Sequence, residues 1–183
     1  MSLTERHVVV LVTGISAAGK STVSDLLARR FDRAVHVKGD IFRRMVVAGR
    51  AEMTSDPSPE ARRQLRLRYA LGAATSDAYF NAGFSVVVQD VVIGTMLRDY
   101  VGMIESRPLC VVTLAPRPDV VAAREATRAK SAYQSGFDTI AALDEALRRE
   151  TPRTGMWLDT SEQTPNETVD EIVARAWGEA RIT

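Results

Sequence analysis

The chain has 183 residues, 45% of them hydrophobic and 26% charged, with a formal net charge of +1. That length holds one domain with a real core rather than two, and the balanced charge leaves no electrostatic footprint for nucleic acid or an anionic membrane. No apolar run reaches membrane-spanning length, no signal-peptide pattern opens the chain, and the lone Cys110 in Leu109-Cys110-Val111-Val112 excludes a disulfide framework and suits a reducing cytoplasm.

The first predicted strand covers about 7–13, a continuous apolar run that fits a strand buried on both faces. It feeds Gly14-Ile15-Ser16-Ala17-Ala18-Gly19-Lys20-Ser21, which reads G-x-x-x-x-G-K-S. A helix over about 20–30 follows, with Val23, Leu26, Leu27 and Phe31 at helical spacing. Strand, glycine loop, helix is the context this phosphate-binding motif requires. The glycines reach backbone angles closed to other residues, and the loop N–H groups with the helix N-terminus face the anion. Lys20 is placed to reach the β- and γ-phosphates, and the Ser21 hydroxyl to ligate Mg²⁺.

A second strand, 34–38, ends at Gly39-Asp40 before a short helix carrying Ile41, Phe42, Met45 and Val46. After a turn-rich connection, Ser58-Pro59-Glu60 opens a long helix with a cap hydroxyl, a first-turn proline and an acid at its positive end. Asn81-Ala82-Gly83 stops it. Strand 3, about 84–89, ends at Asp90, and a helix covers about 95–105. Strand 4, 109–114, is followed by helices at about 119–130 and 137–149, then a short strand over 156–159. Thr164-Pro165-Asn166-Glu167 is a capping box for the last helix, whose apolar face includes Trp177 as core packing. Strands alternating with helices predict right-handed crossovers and a parallel α/β sheet.

Ligands of such sheets bind beyond the carboxyl ends of the strands, where Asp40 and Asp90 both sit. Asp90, closing a run of β-branched residues, suits a Mg²⁺ ligand opposite Ser21, directly or through water. Asp40 suits a base toward an attacking hydroxyl, although either acid alternatively caps the next helix and the two roles are exchangeable. Arg124 and Arg128, four apart on one helical face, repel unless an anion lies between them. Arg43, Arg44 and the long-helix arginines Arg62, Arg63, Arg66 and Arg68 are a weaker signal for an acceptor site. His7 and His36 receive no role.

Together these residues resemble the small P-loop kinases, including adenylate, shikimate and gluconate kinases and the chloramphenicol phosphotransferase-like proteins. The resemblance covers nearly the whole chain. It implies one three-layer αβα domain, a five-stranded parallel sheet in the order 2-3-1-4-5, an acceptor-binding helical segment over about 41–82 and a short lid over about 129–137. It implies ATP with Mg²⁺ as donor. Gly14, Ser16, Ala17, Ala18, Gly19, Lys20, Ser21, Thr22, Arg124 and Thr160 would hold the nucleotide. Lys20, Asp40 and Arg128 would act in catalysis, Ser21 and Asp90 at the metal, and Asp40, Arg43, Arg44 and Arg66 toward the acceptor. The lid lacks cysteine, so a zinc-bearing lid is excluded. The absence of a paired Asp-x-Asp at Lys38-Gly39-Asp40-Ile41 departs from shikimate kinase and points to the broader branch whose acceptors vary.

The expected function is phosphoryl transfer to a hydroxyl of a small molecule, in a cytoplasmic monomer or homodimer with no nucleic-acid or membrane partner. Alternatives are a regulatory ATPase, which the lack of an appended interaction module disfavours, and a polynucleotide 5′-kinase, which the balanced charge disfavours.

Overall fold

The computed structural model describes residues 2–54, 56–127 and 140–182. The sheet is built on β1 (Val9–Thr13), every residue of which is buried. It pairs in parallel with β3 (Ser85–Gln89) on one side and β4 (Leu109–Leu114) on the other. β2 (Ala34–Lys38) extends the sheet beyond β3, and β5 (Met156–Leu158) beyond β4. The order is therefore 2-3-1-4-5, as expected. A sixth strand that the sequence pattern did not reveal, β6 (Arg181–Ile182), pairs antiparallel with the start of β4. At two residues it is too short to carry a period of its own.

Side chains alternate along β1 and build two cores, one on each face of the sheet. Val10 and Val12 pack with Leu27 of α1 (Lys20–Ala28) and with Ile172 and Ala176 of α7 (Pro165–Glu179). Val9 and Leu11 pack with Tyr69 of α3 (Pro59–Asn81) and with Leu97 and Tyr100 of α4 (Met96–Met103). The Tyr69 and Tyr100 rings stack at 4.9 Å between centroids. Gly72, inside α3, makes room for this: a Cβ there would lie 2.4 Å from the Tyr100 hydroxyl. Two faces of helices on a parallel sheet explain why β1, β3 and β4 read as unbroken apolar runs.

The helix ends follow their local chemistry. Ser58 Oγ accepts from the Ala61 N–H at 3.1 Å and starts α3. At its other end Gly83 has φ +83°, the Phe84 N–H bonds to the Tyr79 carbonyl at 3.1 Å, and the Gly83 N–H bonds to Phe80 at 2.8 Å. The two bonds form a Schellman stop, and the edge-to-face contact of Phe84 with Tyr79 supplies its apolar partner. The capping box of α7 is present, with the Thr164 N–H donating to Glu167 at 2.7 Å. α2 (Gly39–Arg44) is shorter than its apolar pattern suggested. α5 (Pro118–Ala126) and α6 (Ile140–Glu150) complete the molecule. The far end of the helix expected over 119–130, the start of the one expected at 137, the lid at 129–137 and Arg128 lie outside the described residues.

Cys110 is buried, and burial pushes its thiol up to about 11, which keeps it protonated and unreactive as expected. Trp177 packs against the core from its rim, with the Arg6 guanidinium 3.7 Å above its ring. His36 is packed within β2, and burial lowers its pKa. Among the described residues no helix is long and apolar enough to cross a membrane.

Candidate active site

β1 is the middle strand, so the loop leaving it emerges at the centre of the sheet's carboxyl edge. Gly14 turns there with φ +142°, and a Cβ would lie 2.4 Å from the Leu114 carbonyl oxygen. Gly19 caps α1 at φ +98°, and Ala17 sits in the left-handed region at φ +61° without being glycine. Such a conformer costs on the order of 1 kcal/mol or more and persists where the surroundings hold it. The loop therefore keeps its shape before an anion arrives. The Lys20 ammonium donates to the Ile15 carbonyl at 2.7 Å and is itself buried. Gln89, at the end of β3, donates to Ser21 Oγ at 3.3 Å.

A cleft of about 1630 Å³ runs from this loop toward α2 and α3. It brings together Ser16 through Thr22, Asp40, Arg43, Arg44, Asp90, Arg124 and Thr160, residues scattered over the sequence. Gly14 lies beneath the cleft, packed on β4. Arg66 does not line it. Its guanidinium turns away toward Asp99 of α4, 3.8 Å off, because its position on α3 faces outward.

Arg124 spans two walls of the cleft. It donates to the Ala18 carbonyl at 3.3 Å and the Thr160 carbonyl at 2.9 Å. This planar cation thus bridges the phosphate loop and the loop between β5 and α7. The latter is fixed by Asp159, whose carboxylate accepts from the Ser161 N–H at 3.0 Å and is held below its usual pKa by the Ser161 hydroxyl. Thr160 Oγ1 is buried without a hydrogen-bond partner among the described residues. An orphaned hydroxyl beside Arg124 fits a site finished by a polar heterocycle.

The two strand-end acids differ sharply. Asp40, in the first turn of α2, is half-exposed in the cleft, 2.5 Å from Arg44 and 3.7 Å from Arg43. Asp90 is buried, and both its oxygens accept from Arg68, with Arg68 Nε at 2.8 Å. The Val91 N–H adds a bond at 2.7 Å. Burial pushes the Asp90 carboxyl up, while Arg68 and that N–H pull it back. The bidentate geometry keeps the pair charged. Gly39 exists for this pair: a Cβ there would lie 1.9 Å from Asp90 Oδ2. The magnesium role expected of Asp90 therefore meets a competitor, because its carboxylate is already committed to Arg68. Ser21 fits the metal, since Mg²⁺ keeps several waters and takes phosphate oxygens as ligands. Among the described residues no cluster of three or more acids, histidines or cysteines offers another metal site.

The sequence assigns Gln89 no role and offers Arg68 only as one of the weaker acceptor-site arginines of the long helix. Helical spacing does not set Arg68 apart: about the inward face marked by Ala61, Leu65, Tyr69, Gly72 and Ser76, Arg68 borders one edge and Arg62 the other.

The sequence profile of the AAA domain family matches residues 9–153. The chain belongs to the AAA domain family of P-loop proteins. No curated protein is significantly similar in sequence. Among solved structures, the tunicamycin resistance protein of Deinococcus radiodurans superposes with a TM-score of 0.67 at 17% identity, covering 97% of this chain and 99% of its own. A sugar kinase from Janibacter sp. gives 0.65 at 18% identity, covering 89% and 90%. A gluconokinase from Sinorhizobium meliloti gives 0.61 at 20% identity, covering 90% and 88%. At these identities the likeness establishes the fold, that of the small P-loop kinases.

Proposed function

We propose that the protein transfers the γ-phosphoryl group of ATP to a hydroxyl of a small molecule. The observation that carries this reading is one continuous cleft holding a preshaped phosphate loop and, at the end of β2 two strands away, a half-exposed carboxylate. When bound, ATP with magnesium supplies the phosphoryl group and much of the counter-charge. Ser21 Oγ would be a protein ligand of the metal, and Lys20 would exchange the Ile15 carbonyl for phosphate oxygens. Arg124 stacks on the purine while Thr160 and the Asp159 loop border it. Asp40 orients the acceptor hydroxyl. That hydroxyl attacks the γ-phosphorus as the bond to the bridging oxygen breaks, the electron pair leaves on ADP, and the proton passes to the Asp40 carboxylate. Asp40 suits this work better than Asp90, whose oxygens are buried and held by Arg68. Arg128 is assigned to the transferred phosphate and residues 129–137 to closure over it, as the family resemblance implies.

The likeness to a sugar kinase, a gluconokinase and a tunicamycin resistance protein supports the same reaction class. Asp40→Asn is expected to lower transfer by about 10²–10⁴-fold, the usual worth of a general base, with nucleotide affinity nearly unchanged. Lys20→Ala is expected to abolish transfer. Nucleotide titration with a turnover assay over a metabolite and antibiotic panel measures both. Full activity in Asp40→Asn overturns the base assignment, and ATP hydrolysis that no hydroxylated compound stimulates overturns the kinase reading in favour of an ATPase.

A further inference from the structure

The cleft of about 1630 Å³ exceeds the roughly 300–1,000 Å³ of a single drug-sized ligand site. Beyond the nucleotide's share lies a second half, walled by α2, the connection after it and α3. Its lining includes Phe42, Met45, Val46, Met53, Leu67 and Leu71. Four of these are exposed: Met45 at 68%, Leu67 at 52%, Met53 at 41% and Leu71 at 40%. Of the large hydrophobic side chains exposed among the described residues, all but Tyr79 fall between positions 41 and 71. Concentrated exposed apolar surface marks a binding site. This one is concave and opens onto the phosphate loop, so it matches a small molecule rather than the flat face of a dimer.

Charge decides what kind of small molecule. The cations lining this half are Arg43, Arg44 and Arg68, and the anions are Asp40, Glu52 and Asp90. Each arginine is matched: Arg43 to Glu52 and Asp40, Arg44 to Asp40, and Arg68 to Asp90. The other lining cations, Lys20 and Arg124, bond to carbonyls of the phosphate loop and belong to the donor. A carboxylate or phosphate on the acceptor would have to displace one of these pairs.

We infer, on the basis of the kinase reading above, that the acceptor is an uncharged alcohol bearing a large apolar body rather than a sugar acid or a nucleotide. Its hydroxyl sits at Asp40 and its apolar body against Met45, Met53, Leu67 and Leu71.

The test uses the full chain with n-alkyl β-D-glucosides from methyl to octyl, below their micelle-forming concentrations, against gluconate and shikimate. Calorimetry in the presence of a non-hydrolysable ATP analogue and magnesium reads affinity, and phosphorus NMR reads product from ATP. Affinity is expected to rise by up to about fourfold per added methylene, the value for burying one such group. The double variant Met45→Gln with Leu67→Gln changes only exposed positions. It is expected to flatten that slope, with nucleotide affinity showing that the variant is folded. Gluconate and shikimate are expected to bind more weakly than octyl glucoside. An affinity independent of chain length, no glucoside binding, tighter binding of the acids, or self-association that buries Leu67 in place of glucoside binding each overturns the inference. Phosphorylation of gluconate would do so while leaving the kinase reading standing, and a failure to bind the ATP analogue would remove the kinase reading while the chain-length slope still reports on the groove.

Discussion

Gly39, Arg68 and Asp90 form a unit whose members constrain one another. Gly39→Ala places a methyl 1.9 Å from Asp90 Oδ2, and backbone on one side with a buried ion pair on the other leaves little room to shift. A loss of about 1–3 kcal/mol is expected, as for other overpacked sites, measured by urea unfolding. A stability equal to the parent's would show that Asp90 swings away at no cost. Asp90→Ala leaves Arg68, 15% exposed, as an uncompensated charge, so about 3–5 kcal/mol is expected to be lost. Combining Arg68→Met with the same Asp90→Ala removes both charges and is expected to restore most of that loss. The same double-mutant cycle, read in turnover, separates a structural pair from one the reaction uses. The Asp90 carboxylate feels the charge of Lys20, and Arg68 feels that of Asp40, so the pair stands electrically between the phosphate loop and Asp40.

α7 is the element whose local chemistry gives a pH signature. Glu167 is held below its usual value of 4.5 first by the Thr164 backbone N–H and then by the Thr164 hydroxyl. A carboxyl lowered by folding stabilises the native state fully above its unfolded pKa, and that contribution fades as pH falls through the lower folded value. Thermal unfolding midpoints taken from about pH 3 to 7 are therefore expected to fall more steeply at the acid end for the parent than for Glu167→Gln. Superimposable acid limbs would show the capping box to be energetically silent. α1 offers the contrast, since its N-terminus carries no acidic first turn and no side-chain cap. An anion at that end meets no competing carboxylate from the helix's own first turn.

For the molecule as a whole, ligand binding and stability are linked. A nucleotide bound between the phosphate loop and the Thr160 loop would stabilise the native state by about 2.7 kcal/mol at a hundredfold excess over Kd. For a chain of this size each kcal/mol corresponds to about 2–4 °C. Saturating ATP with magnesium is thus expected to raise the melting temperature by about 5–10 °C at that excess. Arg124→Ala, which unlinks the phosphate loop from the Thr160 loop, is expected to lose at least about 1.4 kcal/mol of that gain at fixed ligand, equivalent to a tenfold weaker Kd. An unchanged shift would remove Arg124 from the nucleotide site.

The parallel strands, both strand-end acids and the phosphate loop were legible in the sequence because each has a short-range cause. Buried strands must be apolar throughout, a phosphate loop needs its glycines at fixed spacing, and caps reach only three residues. The strand order came only through family resemblance, whereas Asp40 and Arg124 stood out as candidates by strand-end position and helical spacing alone. The partner of Asp90, the outward turn of Arg66, the added strand β6 and the apolar lining of the cleft were decided by tertiary structure. Arg68 finds Asp90 across 22 positions. Which of many similar arginines makes such a bond depends on how α3 is rotated on the sheet. That rotation is set by the packing of Tyr69, Gly72 and Tyr100, a three-body fit that no local pattern encodes.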